Sequence, residues 1–289
     1  MKVVWCMPKR SKSLNSKKVD RLMKSEAYKV AYKDLDFLGS EYARPVRLQL
    51  ELLKTEIGMR RHHIHSTIVA FGGTRIIEPA KAQRKLKALE TRFRSKPNDR
   101  ELRKKIKIAK SIVKKSKYYD EAREFGRMAS SESQKEESRE YVIVTGGGPG
   151  IMEAANRGAF DVGANSIGLN ITLPMEQEPN AYITPELCFQ FHYFAIRKMH
   201  FLLRAKALVA FPGGFGTLDE LFEALTLLQT KKLKPLPVIL FGRKFWKDLI
   251  DFQYLVDEGT INQKDIDLFV YADTAVDAWN YIKNFQYKK

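Results

Sequence analysis

Six short apolar runs alternate along the chain with longer segments whose apolar residues recur at helical spacing. A run of four to eight apolar residues is typical of a buried strand, and a repeat of three to four residues is typical of a helix. The predicted strands lie at residues 67–71, 141–145, 166–173, 207–211, 237–241 and 269–271. This alternation predicts an α/β fold, a Rossmann-like parallel sheet with helices on both faces.

Two helical segments fall outside that alternation. Residues 1–60 are charged and helical with a break at 39–45, so we predict an N-terminal helical extension before a main domain at 61–289. Residues 81–118 carry two narrow apolar stripes on either side of a KPND turn, which predicts a helical hairpin inserted into that domain.

The segment PGGFGTLDELFE at 212–223 connects a predicted strand to a predicted helix. The first N–H groups of a helix have no backbone partners, and the helix dipole adds positive charge there. We therefore predict an anion site, with phosphate as the usual anion, at Gly213, Gly214 and Gly216. Thr217 is expected to cap the helix. Glu220 lies one turn further on, where it can reach the rim of the site.

Two further glycine turns follow predicted strands, GGTR at 72–75 and GGGPG at 146–150. In an open parallel sheet, turns of this kind share the edge at which ligands bind. Arg75 is either a phosphate ligand or a solvated charge. The second turn lacks the G-x-G-x-x-G spacing and the distant acidic residue of a dinucleotide site, which favours a mononucleotide over NAD.

The net charge of +17 is concentrated in the two outlying segments. Residues 81–118 contain 16 Lys and Arg against 3 Asp and Glu, and the glycine-turn body is mildly acidic. Nucleic acid is therefore a candidate partner of the hairpin. We do not favour it, because no aromatic residues alternate with the basic ones. The hairpin is instead expected to be dispensable for chemistry.

The sequence gives little support for a metal site, a disulfide or a membrane-spanning segment. The RRHHIH segment at 60–65 lacks cysteines or carboxylates at ligand spacing, so we predict no metal. Cys6 and Cys188 are far apart and form no disulfide framework, and no apolar run is long enough to span a membrane. A cytoplasmic location without membrane contact is the expectation.

The segments GGGPGIMEAANRGA, FAIRK and PGGFGTLDE together resemble the LONELY GUY family, over about residues 66–286. The resemblance implies a Rossmann-like dimer or higher oligomer without a cofactor. It implies hydrolysis of a nucleoside 5′-monophosphate, AMP or a cytokinin riboside monophosphate, to the free base and ribose 5-phosphate. Members are often called lysine decarboxylases, but that reaction needs a sink such as pyridoxal phosphate on a Schiff-base lysine, and no stretch indicates one.

The resemblance assigns Glu220 as the catalytic glutamate and Arg197 as the catalytic arginine. Glu223, on the same helix face, is expected to be structural or supporting. The alternative is a carrier that binds a nucleotide or cofactor without turnover, because binding needs only the glycine turns. The predicted substrate or phosphate contacts are Gly213, Gly214, Gly216, Thr217, Gly147, Gly148, Lys198, Gly72 and Arg75.

Overall fold

A computed structural model describes residues 14–135, 138–174 and 178–285, so that Cys6 lies outside the described residues. The chain forms two compact units, one up to Glu51 and a second from Leu52 onward. The division falls earlier than residue 60, where the sequence predicts a boundary.

The first unit is helical in its described part. It contains α1 (Leu14–Met23) and α2 (Leu35–Gly39), and it ends within α3 (Arg44–Arg61). Asp34 caps α2 by accepting a hydrogen bond from the N–H of Phe37, and Arg47 donates to the carbonyl of Leu38 at 2.7 Å. The predicted break at 39–45 corresponds to the single 3-10 turn Glu41–Ala43 between α2 and α3.

The second unit is built on a parallel sheet of seven strands, which confirms the predicted fold class. A separate antiparallel pair, β2 (Gln134–Lys135) and β3 (Ser138–Arg139), lies beside it. The strands of the main sheet are β1 (Thr67–Phe71), β4 (Val142–Thr145), β5 (Ser166–Ile171), β6 (Cys188–Phe191), β7 (Ala205–Ala210), β8 (Val238–Phe241) and β9 (Val270–Ala272). Their order is β6-β5-β4-β1-β7-β8-β9.

Helices connect the strands. They are α4 (Pro79–Ser95), α5 (Arg100–Lys115), α6 (Lys117–Ser133), α7 (Ile151–Phe160), α8 (Phe194–Leu203), α9 (Phe215–Gln229), α10 (Arg243–Leu249), α11 (Phe252–Asp257) and α12 (Ala275–Asn284). Within the described ranges, none of the helices is both long enough and apolar enough to cross a bilayer. The predicted basic hairpin is formed by α4 and α5, with the KPND turn between them.

Both faces of the sheet are covered, because successive residues of a strand point to opposite sides. Val69 and Phe71 of β1 belong to a core that includes residues of α8 and α9. Ile68 and Ala70 belong to a second core formed with α6, α7 and α12. This double burial explains why the central strands are continuous apolar runs rather than alternating patterns.

The sequence did not identify β6 as a strand. It lies at the edge of the sheet, pairs only with β5 among the described strands, and alternates between exposed and buried residues over four positions. The short segment CFQF leads within three residues into α8, so its apolar residues merge with the helical pattern of α8 in the sequence. The strand at the opposite edge, β9, matches the run predicted at 269–271, which a helical pattern follows.

Helices α6 and α7 touch backbone to backbone through two glycines. A Cβ on Gly126 would lie 2.3 Å from the carbonyl oxygen of Ala155. A Cβ on Gly158 would lie 2.0 Å from the carbonyl oxygen of Arg123. Neither backbone atom can move without separating the helices.

We predict that Gly126→Ala and Gly158→Ala each lower the free energy of unfolding by about 1–3 kcal/mol, as overpacking does. Gly216→Ala is the matched control, because a Cβ there meets nothing within 4 Å and alanine favours a helix. Urea denaturation of the three variants checks this. Equal stability of all three would contradict the close crossing.

Candidate functional site

The three glycine turns meet at one point of the sheet edge. Strand β1 is flanked by β4 and β7, and the chain order changes direction across β1 and β7. The N–H of Gly73 donates to the carbonyl of Pro212 at 2.9 Å, and the N–H of Ile151 donates to the carbonyl of Gly73 at 3.3 Å. In doubly wound sheets, such a switch point is where ligands bind.

A cavity of about 820 Å³ opens at this point. Its size is within the range of small-molecule sites. The wall combines glycine backbone, apolar side chains and a few charges. Its main residues are Gly72, Gly73, Thr74, Arg75, Ile108, Ser111, Ile112, Lys115, Gly146, Met152, Phe194, Arg197, Gly213, Gly214, Phe215, Gly216, Thr217, Asp219 and Glu220.

Helix α9 begins at the cavity with Gly214 as its N-cap residue, and no side chain caps it. The prediction that Thr217 caps this helix is therefore wrong. Thr217 lies within the first turn and is buried, with its hydroxyl in the space that a Cβ on Gly213 would need. A Cβ on Gly214 or Gly216 would meet no protein atom within 4 Å. The protein itself gives no steric reason for these two glycines, whereas a ligand close to the backbone would.

Glu220 is a buried carboxylate on the wall of this cavity, with only 8% of its surface exposed. Burial raises the pKa of Glu220 to about 7, and repulsion by Glu223 adds to the shift. Lys198 and Arg197 oppose it. Because desolvation exceeds the attraction of both cations, the protein keeps an acid with a pKa near neutrality beside the glycine turn at the start of α9.

Lys198 is shared by three carboxylates. Its Nζ lies 2.8 Å from Glu223, 2.9 Å from Asp219 and 3.3 Å from Glu220. Burial lowers the pKa of Lys198, but these partners raise it above the usual range. The cavity wall in the described part of the chain does not include Lys198, so its contacts support a role in holding Glu220 rather than the predicted contact with phosphate.

Arg197 enters the cavity from α8. Its Nε donates to the carbonyl of Leu169 at 2.7 Å, and its guanidinium lies over the ring of Phe201 at 5.1 Å. A Cβ on Gly146 would lie 2.6 Å from its terminal nitrogen, so the glycine makes room for the arginine. Burial lowers the pKa of Arg197, and the charge of Glu220 opposes that shift.

The turn at 146–150 contributes Gly146 to the cavity wall. Gly147 and Gly148 are not on that wall in the described residues, and hydrogen bonds from Asn180 fix their carbonyls. The side-chain amide of Asn180 donates to the carbonyls of Gly147 at 3.1 Å and Gly148 at 3.2 Å. The same amide donates to the side chain of Asn156 at 3.0 Å. The cavity wall of the described residues therefore does not support the predicted substrate contacts of Gly147 and Gly148.

The basic hairpin, which we expected from the sequence to be dispensable for chemistry, contributes residues to the cavity wall. Ile108, Ser111, Ile112 and Lys115 of α5 form part of the wall. A second cavity between α4, α5 and the turn at 72–75 shares Thr74, Arg75, Ile108 and Ile112 with the first. That the hairpin is dispensable for chemistry stays a prediction, and the position of α5 on the cavity wall argues against it.

Several site residues were missed from the sequence. Met152, Phe194 and Phe215 form apolar wall, and Phe215 is 92% exposed at the mouth. The sequence could have identified Asn156, because it is a polar residue on the otherwise apolar face of α7. The sequence could not have identified the hairpin residues of the cavity wall, because their apolar stripe is typical of any amphipathic helix.

The region from residue 152 to 282 matches the model of a family described as possible lysine decarboxylases. A cytokinin riboside 5′-monophosphate phosphoribohydrolase of Arabidopsis thaliana (LOG3) is 30% identical over 167 residues, 56% of this chain and 73% of that protein. The chain belongs to the LONELY GUY family. A probable enzyme of the same name from Oryza sativa (LOG4) is 30% identical over 47% of this chain and 60% of that protein. The resemblance inferred from the three motifs is confirmed.

Among solved structures, a molybdenum cofactor binding protein from Rippkaea orientalis is similar to this chain. It has 21% sequence identity and a TM-score of 0.40, and the alignment covers 57% of this chain and 86% of that one. A likeness at this level carries no argument about function. The fold assignment depends instead on the strand order and the parallel pairing described above.

We predict that Glu220→Gln raises the melting temperature at pH 8 by a few degrees. A carboxyl whose pKa is raised on folding contributes stability that is present below its unfolded pKa, near 4.5, and lost as pH rises through about 7. A neutral glutamine avoids that loss, so the variant and the native protein should differ at pH 8 and agree at pH 5.

Asp219→Asn is the control, because it removes a 60% exposed carboxylate from the same lysine. We expect little change in its melting temperature, as for other exposed ion pairs. Calorimetric scans at both pH values check the set. A lower melting temperature of Glu220→Gln at pH 8 would mean that Glu220 serves to stabilise α9.

Proposed function

We propose that this protein hydrolyses the N-glycosidic bond of a nucleoside 5′-monophosphate, releasing the base and ribose 5-phosphate. The observation that carries the proposal is the position of Glu220. It is a buried carboxylate, destabilised in its charged form, one helical turn from an anion-binding helix N-terminus in the same cavity. The related phosphoribohydrolases support the reaction type by their names.

The 5′-phosphate binds at the start of α9. Backbone N–H groups at Gly214, Phe215 and Gly216 are available there, and the two glycines leave space for phosphate oxygens. Thr217 and the turn at 72–75 complete the surroundings. The phosphate is remote from the bond that breaks, so its binding energy positions the ribose for reaction.

Glu220 acts on the ribose. Breaking the bond to the base develops positive charge at C1′, and an ionised carboxylate beside it stabilises that charge and orients the attacking water. Desolvation makes the charged carboxylate costly in the free protein. A cation that forms only in the transition state relieves this cost, which is the differential binding that accelerates a reaction.

Arg197 acts on the leaving base, which gains electron density as the bond breaks. The guanidinium is held in place by the carbonyl of Leu169 and the ring of Phe201. It remains charged at neutral pH, so it stabilises the leaving base rather than donating a proton. Glu223 supports the site through Lys198, which it contacts at 2.8 Å.

The substrate class follows from the two kinds of surface on the cavity wall. Glycine backbone and cations suit a phosphate, and Met152, Phe194 and Phe215 suit a planar base. AMP and cytokinin riboside monophosphates both meet these requirements, without a cofactor. We further propose a homodimer or higher oligomer, supported by the exposed aromatic rings of Phe194 and Phe215 at the mouth.

We predict that the protein releases adenine from AMP and not from adenosine, because only AMP carries the phosphate. The kcat/KM for AMP should fall about tenfold per pH unit below about pH 7, since Glu220 must be ionised to act and its pKa lies there. Glu220→Gln should lower kcat by on the order of 100-fold with a smaller change in KM. Chromatography of the released base over pH 5–9 measures all three.

Asp219→Asn provides the control, since it removes a cavity carboxylate that is mostly exposed. Tight binding of AMP without any adenine release would support the alternative of a nucleotide carrier. Near-normal turnover by Glu220→Gln would end the catalytic assignment of that residue. A panel of nucleoside monophosphates identifies the preferred base.

A further inference from the structure

The inserted hairpin turns a cation toward the substrate cavity. Helix α5 carries Lys104, Lys105, Lys107, Lys110, Lys114 and Lys115. Lys115 is half-buried, and the other five are exposed. Lys115 is also the lysine of this helix that lies on the wall of the cavity at the glycine turns. Its environment therefore differs from that of a solvated surface charge.

The ammonium of Lys115 has donor capacity left for a ligand. Its Nζ donates to the hydroxyl of Ser111, one helical turn earlier, at 2.6 Å. An ammonium has three N–H donors, and this contact uses one. Throughout residues 14–135, 138–174 and 178–285, neither Lys115 nor the neighbouring Arg75 has a carboxylate at ion-pair distance. Lys198 shows the opposite pattern, with three such partners.

Apolar residues of the same helix face the same space. Ile108 is 55% exposed although it is aliphatic, and it lies with Ile112 on the walls of both adjoining cavities. These cavities also share Thr74 and Arg75, so α5 faces the turn that follows β1. An aliphatic wall excludes water and strengthens the attraction between a cation and an anion beside it.

We propose that α5 of the basic hairpin forms one side of the substrate site and that Lys115, positioned by Ser111, binds the phosphate of the substrate. The proposal extends the function proposed above, because it takes a phosphorylated ribose as the ligand. Among the described residues, the cavity contains a lysine without a carboxylate partner, an arginine and a helix N-terminus. Together these positive groups favour an anionic ligand. The remaining basic residues of the hairpin draw anionic ligands toward the cavity.

The test compares Lys115→Met with Lys114→Met, which removes the adjacent, exposed lysine of the same helix. Calorimetry measures the Kd of ribose 5-phosphate and of AMP, with Glu220→Gln added to each protein for the AMP titrations so that AMP is consumed slowly, and with adenosine as the ligand that lacks phosphate. Lys115→Met should weaken both phosphorylated ligands by on the order of tenfold, as expected for a charged hydrogen bond. It should leave adenosine unchanged, and Lys114→Met should bind all three like the native protein.

Kinetics with AMP separate binding from chemistry. Lys115→Met should raise KM by a similar factor and leave kcat within about twofold, because the contact is the same in the ground and transition states. Lys115→Arg should recover most of the affinity. An unchanged melting temperature of Lys115→Met shows that the hairpin is intact. If the Met variant does lose the fold, the Arg variant and Ser111→Ala still report on the same contact.

The outcomes distinguish this proposal from the proposed function. Native-like affinity of Lys115→Met for ribose 5-phosphate overturns the proposal, even when AMP is hydrolysed. An equal loss for adenosine also overturns it, since it indicates a general distortion. Lys115-dependent binding of ribose 5-phosphate without adenine release keeps the proposal and overturns the hydrolase. Failure of the native protein to bind any phosphorylated ligand overturns both.

Discussion

The burial of the Glu220 carboxylate is the constraint around which this site is organised. A charged group in a poorly solvated place is costly unless cations compensate it, and here the compensation is incomplete. Lys198 divides its charge among three carboxylates, and Arg197 is engaged by the carbonyl of Leu169. The carboxyl therefore keeps a pKa close to neutrality, and it does so beside a helix N-terminus that suits a phosphate.

The topology brings these groups together. Reversal of strand order across β1 and β7 places the turns at 72–75, 146–150 and 212–216 side by side, joined by backbone hydrogen bonds. Each turn leads toward a helix, and α8 supplies Arg197 and Lys198 from the adjacent crossover. A sheet with both faces buried holds this edge rigidly, which a preorganised electrostatic site requires.

The sequence predicted what depends on local pattern. The six buried runs, the glycine turns and the spacing from Gly216 to Glu220 follow from periodicity and from the conformational needs of strand-to-helix turns. It did not predict what depends on tertiary contact. Thr217 resembles a cap, but the fold makes Gly214 the N-cap residue. In the sequence, Lys198 is a candidate phosphate ligand, whereas the structure surrounds it with three carboxylates. The periodicity of α5 does not reveal that one side of this helix faces the cavity.

The fold holds Glu220 as a buried acid whose charge is only partly compensated. The most direct measurement is a pH titration of its side-chain carboxyl carbon by NMR of protein labelled with ¹³C-glutamate, assigned by the signal that disappears in Glu220→Gln. We predict a midpoint near pH 7 in the free protein. A midpoint close to 4.5, the ordinary value for glutamate, would show that Lys198 and Arg197 compensate the charge fully, and Glu220 would then not be a destabilised acid.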